Sequence, residues 1–277
     1  MTLHPPRYSL PPPPLLPHAA RVNVVLWTTF REKLGGLNIA LLILTFVVVL
    51  PEIIVPFYLL SLIGNGTSSP LALFALPYDS GAWFFFEVLF TASVGAGVVA
   101  NDLSTRAITM YLARPITTFD YLSAKVSAVA LWIGIVAILP ALIGATIILA
   151  LGFVSLPVAL QAVGGVLAAG GLNVLAFTGI AVLLSAWSPK SSYAGAAIFG
   201  FLVGADVVAG VLYAISGVGA VLYVSPDSDV VAVARAVFGL DTTPVNAAIA
   251  AAVLGAVGVG TLVVAYRRIA TMDVVAE

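Results

Sequence analysis

Residues 158–187, VALQAVGGVLAAGGLNVLAFTGIAVLLSAW, run for thirty positions without one charged side chain. A helix rises about 1.5 Å per residue, so about 20 apolar residues cross the roughly 30 Å hydrocarbon core of a bilayer. The stretch is long enough to span, and it fixes the solvent in which the rest of the chain must be read. Five more stretches meet the same requirement: Leu37 to Ile63, Ala82 to Ala100, Ala124 to Leu151, Tyr193 to Ile215 and Val245 to Tyr266. Because only closed barrels or helices satisfy their backbone in lipid, the expected fold is an all-α integral membrane bundle of six transmembrane helices. Pro51, Pro56 and Pro140 fall inside two of the spans and predict kinks there.

Composition agrees. Of the 277 residues, 61% are hydrophobic and 8% charged, against about 25% charged in soluble domains. The net charge of -1 leaves no cationic excess for a phosphate backbone, which argues against a nucleic-acid partner. With no cysteine, and with His4 and His18 as the only histidines, disulfides, thiolate zinc sites and imidazole clusters are excluded.

Around the spans the chain divides into a proline-rich head over residues 1–20, an amphipathic segment over 21–36, the membrane domain over 37–266 and a tail over 267–277. Seven prolines in the first seventeen residues favour an extended, disordered head. No apolar signal core precedes Arg21, so the first span is expected to direct its own insertion. Val22, Val25, Leu26, Phe30 and Leu34 recur at helical spacing beside Trp27, which predicts an N-terminal helix in the membrane interface. Between spans five and six, Ser228 to Phe238 is expected as a short external helix, capped by a serine and stopped at Gly239.

Six spans put both termini on one side. That side then holds ten of the eleven lysines and arginines, with Arg235 alone opposite, so the positive-inside rule places both termini in the cytoplasm of a multi-pass plasma-membrane protein. Asp79, Asp227, Asp229 and Asp241 then face outward, together with the sequon Asn65-Gly66-Thr67.

The cytoplasmic stretch 101–125, NDLSTRAITMYLARPITTFDYLSAK, carries the clearest motif. Asp102 suits a helix N-terminus, Ile108, Tyr111 and Leu112 form an apolar stripe, and Pro115 ends the element, which predicts a short amphipathic helix, presented to the cytosol or lying on the membrane surface, followed by the turn ITTFD. The order of acidic residue, hydrophobic run, Ala113-Arg114-Pro115, Ile116-Thr117, Asp120-Tyr121 and Lys125 resembles the segment after the second span of ABC-2-type transporter permeases. In that family the segment contains a coupling helix that docks on a separate ATP-binding cassette subunit. The resemblance implies that Asp102, Arg106, Ile108, Tyr111, Leu112, Arg114 and Pro115 shape the docking element, and that Asp120, Tyr121 and Lys125 anchor the return into span three. Many members carry Gly-Thr where this chain has Arg106-Ala107. For Lys125 a snorkelling membrane anchor is an equal alternative to a partner contact.

Three carboxylates lie within spans: Glu52, Glu87 and Asp206. Each costs about 2.5 to 3.5 kcal/mol at membrane depth, so they are expected to face the bundle interior or water, as candidates for a translocation path or as packing residues. Small residues at four-residue spacing, Ala196, Gly200 and Gly204 in span five and Ala248, Ala252, Ala256 and Gly260 in span six, form ridges suited to packing within the chain or between subunits.

The resemblance implies the permease subunit of an ATP-driven exporter, paired with a second permease chain and with a cassette ATPase. Only Lys190 of the three lysines is followed by serine, and Pro189 precedes it where a phosphate-binding loop needs glycine. ATP and magnesium are therefore expected on the partner subunit, with no cofactor, metal or catalytic residue on this chain. A non-transporting anchor for an ATPase shares every motif, whereas an intramembrane enzyme would need clustered acids or histidines. The low interior charge points to a lipid, an apolar drug or peptide, or a modestly polar molecule as cargo.

Overall fold

The computed structural model describes residues 17–63, 70–107, 116–240 and 244–273. Among these, ten α-helices and two 3₁₀ turns make up the fold, with no strand. In chain order the helices are α1 (His18–Glu32), α2 (Gly36–Ile63), α3 (Gly81–Gly95), α4 (Ala100–Ser104), α5 (Thr118–Ala137), α6 (Leu139–Ala150), α7 (Leu156–Trp187), α8 (Ser191–Ser216), α9 (Pro226–Val237) and α10 (Ala247–Asp273). The 3₁₀ turns are Pro70–Ala75 and Gly219–Val224.

Six helical segments are long and apolar enough to cross a membrane: Gly36–Leu59, Gly81–Ser104, Thr118–Ala150, Leu156–Trp187, Ser191–Ser216 and Ala247–Thr271. This is the architecture of a multi-pass membrane protein. The third span begins earlier than its hydropathy suggests. The expected turn over Ile116 to Asp120 is instead the entry to α5, where Thr117 Oγ1 accepts from the Asp120 amide at 3.1 Å and Asp120 Oδ2 accepts from the Thr117 amide at 3.0 Å. That reciprocal cap starts a helix although Asp120 and Lys125 lower the local hydropathy. Pro140 breaks the same span: α5 ends at Ala137, Ile138 stands between, and α6 opens at Leu139. α2, by contrast, stays helical through Pro51 and Pro56.

Two further helix boundaries differ from expectation. α9 begins at Pro226, not Ser228, because Ser225 is the cap: its Oγ accepts from the Ser228 amide at 3.1 Å, and proline suits the first helical position. Gly239, with φ of 74°, ends it as expected. The segment expected as one helix from Asp102 to Pro115 is interrupted near its start. α4 closes at Ser104, and Arg106 takes φ of 57°, the left-handed region that costs a side chain roughly 1–2 kcal/mol. Ile108, Tyr111, Leu112, Arg114 and Pro115 lie outside the described residues.

α7 is the central pillar, packing against α3, α5, α6, α8, α9 and α10. Its most apolar window is 61% buried, as is that of the second span, whereas those of the first, fifth and sixth spans are 17% buried. The tightest approach in the bundle is between α7 and α10: a Cβ added to Gly258 would stand 2.5 Å from Leu175 Cγ and 2.9 Å from its carbonyl oxygen. Gly179 meets Gly258 from the other side, where a Cβ would lie 2.6 Å from the Gly258 carbonyl oxygen. The ridges singled out in the sequence do not serve this packing. Ala196, Gly200, Ala248, Ala252, Ala256 and Gly260 are exposed, and a Cβ on Gly200, Gly204 or Gly260 would meet nothing within 4 Å.

α1 lies along α5. Phe30 stacks on Trp132 with ring centroids 4.5 Å apart, and the Trp132 indole donates to the Phe30 carbonyl at 3.1 Å. Such a pair adds about 0.5–1.5 kcal/mol beyond area burial. Trp27 stays half exposed on the same helix.

Candidate functional site

The bundle has a basic end and an acidic end, each holding part of the predicted site. At the basic end, where α3 passes into α4 and α5 begins, Asp102 Oδ2 accepts from the Tyr121 hydroxyl at 2.7 Å and from Lys125 Nζ at 2.8 Å. The lysine side chain is 4% exposed and that of Asp102 14%, while Nζ sits 5.7 Å from the Tyr121 ring centroid. Three predicted residues are thus brought into one buried cluster. The ammonium does not snorkel to water, because a buried carboxylate on the neighbouring span already compensates it. Burial and the nearby Lys125 ammonium push the Lys33 amine below its usual range. Asn38 donates to the Lys33 carbonyl at 2.8 Å and accepts from Ser93, which ties the start of α2 to both α1 and α3.

Asp120 immediately precedes Tyr121 in the first turn of α5. Besides capping α5, its Oδ2 lies 2.9 Å from His18 Nε2, so α1 is pinned to the first turn of the third span. A serine with nothing in its sequence context to mark it holds the backbone just before Asp102. Ser185 Oγ on α7 accepts from the Val99 and Ala100 amides at 3.0 and 3.1 Å and donates to the Ala96 carbonyl at 3.2 Å. It satisfies the groups that the turn between α3 and α4 releases. Arg106 is exposed one turn beyond. Replacing it with glycine is expected to relieve about 1 kcal/mol of left-handed strain, and valine to add to that strain. Thermal unfolding of the two variants in detergent measures both.

At the acidic end, the three carboxylates of the spans have separate partners. Ser80, the cap of α3, accepts from the Trp83 amide at 3.3 Å and donates its hydroxyl proton to Glu52 Oε1 at 2.8 Å. Ser225, the cap of α9, likewise donates to Asp206 Oδ1 at 2.9 Å. Each cap serine therefore serves a helix end with its lone pair and a carboxylate of a span with its proton. Glu87 is the most deeply buried of the three, at 4% exposure, and accepts from Asn173 Nδ2 on α7 at 2.8 Å. These acids do not form one cluster, and Glu52 and Asp206 are half buried.

Further carboxylates crowd the same end. Asp79 stands 3.6 Å from Arg235 Nη1. Burial raises the Asp79 carboxyl, an effect that Arg235 opposes. Asp227 is pushed up to about 8 by burial and by the charges of Asp206 and Asp79, and Asp229 to about 7 by burial. Tyr78, buried beside Glu87, has its phenol raised by that burial and then by the glutamate. No group of three or more metal-ligating side chains exists among the described residues. No protein-family model matches the chain, and no curated protein matches it.

Proposed function

We propose that this chain is the membrane-spanning subunit of an ATP-driven exporter of the ABC-2 type, docking a separate cassette ATPase through the segment after its second span. The observation that carries the reading is the backbone of Arg106. ABC-2 permeases often place glycine at the position Arg106 occupies, and here that position has φ of 57°, a conformation glycine adopts freely. A bend required by the docking element would account for both. The buried Asp102, Tyr121 and Lys125 cluster supports the reading further. It joins the end of span two to the start of span three at the root of the segment, so that a push on the segment would move two spans together.

In this reading the basic end is cytoplasmic, both termini lie there, and the membrane is the plasma membrane. Two permease chains enclose a path for an apolar or modestly polar cargo, and ATP with magnesium stays on the partner. ATP binding must favour one of two access states over the other, since equal affinity for both would move nothing.

Chemical labelling tests the docking. The chain has no cysteine, so a cysteine at Leu112 is a unique thiol. In inside-out vesicles it is expected to react readily with a water-soluble maleimide when the chain is alone, and at least tenfold more slowly once a cassette ATPase is bound. Equal labelling with and without the ATPase would remove the docking role.

A further inference from the structure

A small cavity at the acidic end is walled by Pro77, Tyr78, Trp83, Phe84, Glu87, Asn173, Phe177, Asp227 and Val230. It offers about 10 Å³ to the centre of a water molecule, which is room for about one. Three side chains in its wall are at least nine-tenths buried and each leaves a polar atom without a partner: the Tyr78 hydroxyl, Trp83 Nε1 and Asn173 Oδ1. A buried polar atom left unsatisfied costs roughly 1–3 kcal/mol, and three around one void point to a polar occupant. The indole offers a donor, the amide oxygen an acceptor, the phenol either, and the Glu87 and Asp227 carboxyls complete the set. An apolar molecule would satisfy none of these, and a bare cation would be opposed by the indole N–H. Water, with two donors and two acceptors, meets four of these five groups at once: it accepts from the indole and from a protonated Asp227 and donates to Asn173 Oδ1 and to Glu87.

We propose that this cavity holds one water molecule joining the Glu87 carboxyl to the Asp227 carboxyl, forming a proton-binding site that links the acidic surface to the interior of the second span. Asp227 is partly exposed and exchanges its proton with solvent. In the transfer, protonated Asp227 gives its proton to the water oxygen while the water releases another to the Glu87 carboxylate. One O–H bond breaks and one forms at the water, Asp227 ends ionised, Glu87 ends neutral, and net charge is unchanged. Trp83 N–H and Asn173 Oδ1 hold the water throughout.

The surrounding charges come from every element packed on the site. The segment before α3 contributes Tyr78 and Asp79, α8 contributes Asp206, and α9 contributes Asp229 and Arg235 besides Asp227. α7 brings Asn173 and no titratable group, and Glu52 of α2 stays on Ser80. With one arginine among these acids, a proton is the counter-charge the site lacks. This inference does not depend on the permease reading and holds for any activity of the chain.

Infrared difference spectra of the full chain in lipid nanodiscs, stepped between about pH 5 and pH 9, test it. The expected result is a carboxyl band that titrates together with an O–H stretch shifted by oxygen-18 water. Glu87→Gln, which keeps the volume, removes the carboxyl band. Asp227→Asn moves its midpoint by about one pH unit, because the two groups titrate as a coupled pair. Trp83→Phe removes the water band and leaves a carboxyl band. An O–H stretch insensitive to oxygen-18, its persistence in Trp83→Phe, or an unchanged carboxyl spectrum in Glu87→Gln would overturn the proposal. Should Glu87→Gln fail to fold, the Asp227→Asn and Trp83→Phe spectra decide, since neither of those side chains pairs with Asn173.

Discussion

Lys125→Met is expected to destabilise the bundle by about 3–5 kcal/mol, the loss seen when one partner of a buried ion pair is removed. Its ammonium is 2.8 Å from Asp102 Oδ2 and almost wholly withdrawn from water, so the substitution leaves the carboxylate without its ion-pair partner, beside the Tyr121 hydroxyl. Asp102→Ala should also destabilise the bundle, by taking the carboxylate away from the buried ammonium. The double variant Asp102→Asn with Lys125→Met is expected to recover most of the loss, because the amide oxygen still accepts from Tyr121 and no charge remains buried. The readout is the midpoint of denaturation in mixed micelles across this cycle. A Lys125→Met variant as stable as the wild type would mean that the pair is open to water, and the rigid joint between spans two and three would be lost with it.

A second large effect is expected where α7 meets α10. Gly258→Val places a Cβ 2.5 Å from Leu175 Cγ and 2.9 Å from a backbone oxygen that cannot move without its helix. Overpacking of this kind costs about 1–3 kcal/mol and occasionally more, and here it separates the central helix from the last span. Gly179→Val should do the same from the opposite wall. Gly260→Ala and Gly200→Ala are the controls. A Cβ at either meets nothing within 4 Å, so helix propensity alone predicts stabilisation by up to about 1 kcal/mol. Unfolding midpoints of the four variants, with the first two low and the last two at or above wild type, would fit this packing. Uniform effects would not.

The glycines show what a sequence of this kind leaves legible. Small residues at four-residue spacing are visible on paper, but spacing says only that a ridge exists. Gly179 and Gly258 have no ridge to announce them, and their pairing depends on how two helices distant in the chain cross. Span number and helical class were legible because twenty apolar residues in a row are a local property. The costly carboxylates Glu52, Glu87 and Asp206 could be flagged from depth alone, whereas their partners Ser80, Asn173 and Ser225 could not. Those bonds join different elements and follow no periodicity.

At the basic end, Asp102, Tyr121 and Lys125 stand out through a family resemblance, but nothing in their spacing shows that one carboxylate oxygen serves both partners. Arg106 is opaque for a different reason. Its backbone takes a conformation that glycine would have advertised and arginine conceals. The early start of α5 was readable in principle, as a threonine followed three residues later by an acid is a capping pattern, but the charges behind it obscured the membrane signal. Asn173 left a usable clue, being an amide within a thirty-residue apolar run, where hydrogen bonding across helices is its usual role.

The central proposal is that this chain couples to ATP hydrolysis through the segment rooted at Asp102. The direct measurement is ATP turnover by the complex purified through a tag on this chain from its own membranes, for the wild type and for Leu112→Asp. The prediction is vanadate-sensitive hydrolysis with the wild type and a loss of at least tenfold with the variant, inserted at the same level. A charge would then have been forced into a desolvated contact. Equal hydrolysis by both, or none with the wild type, would contradict it.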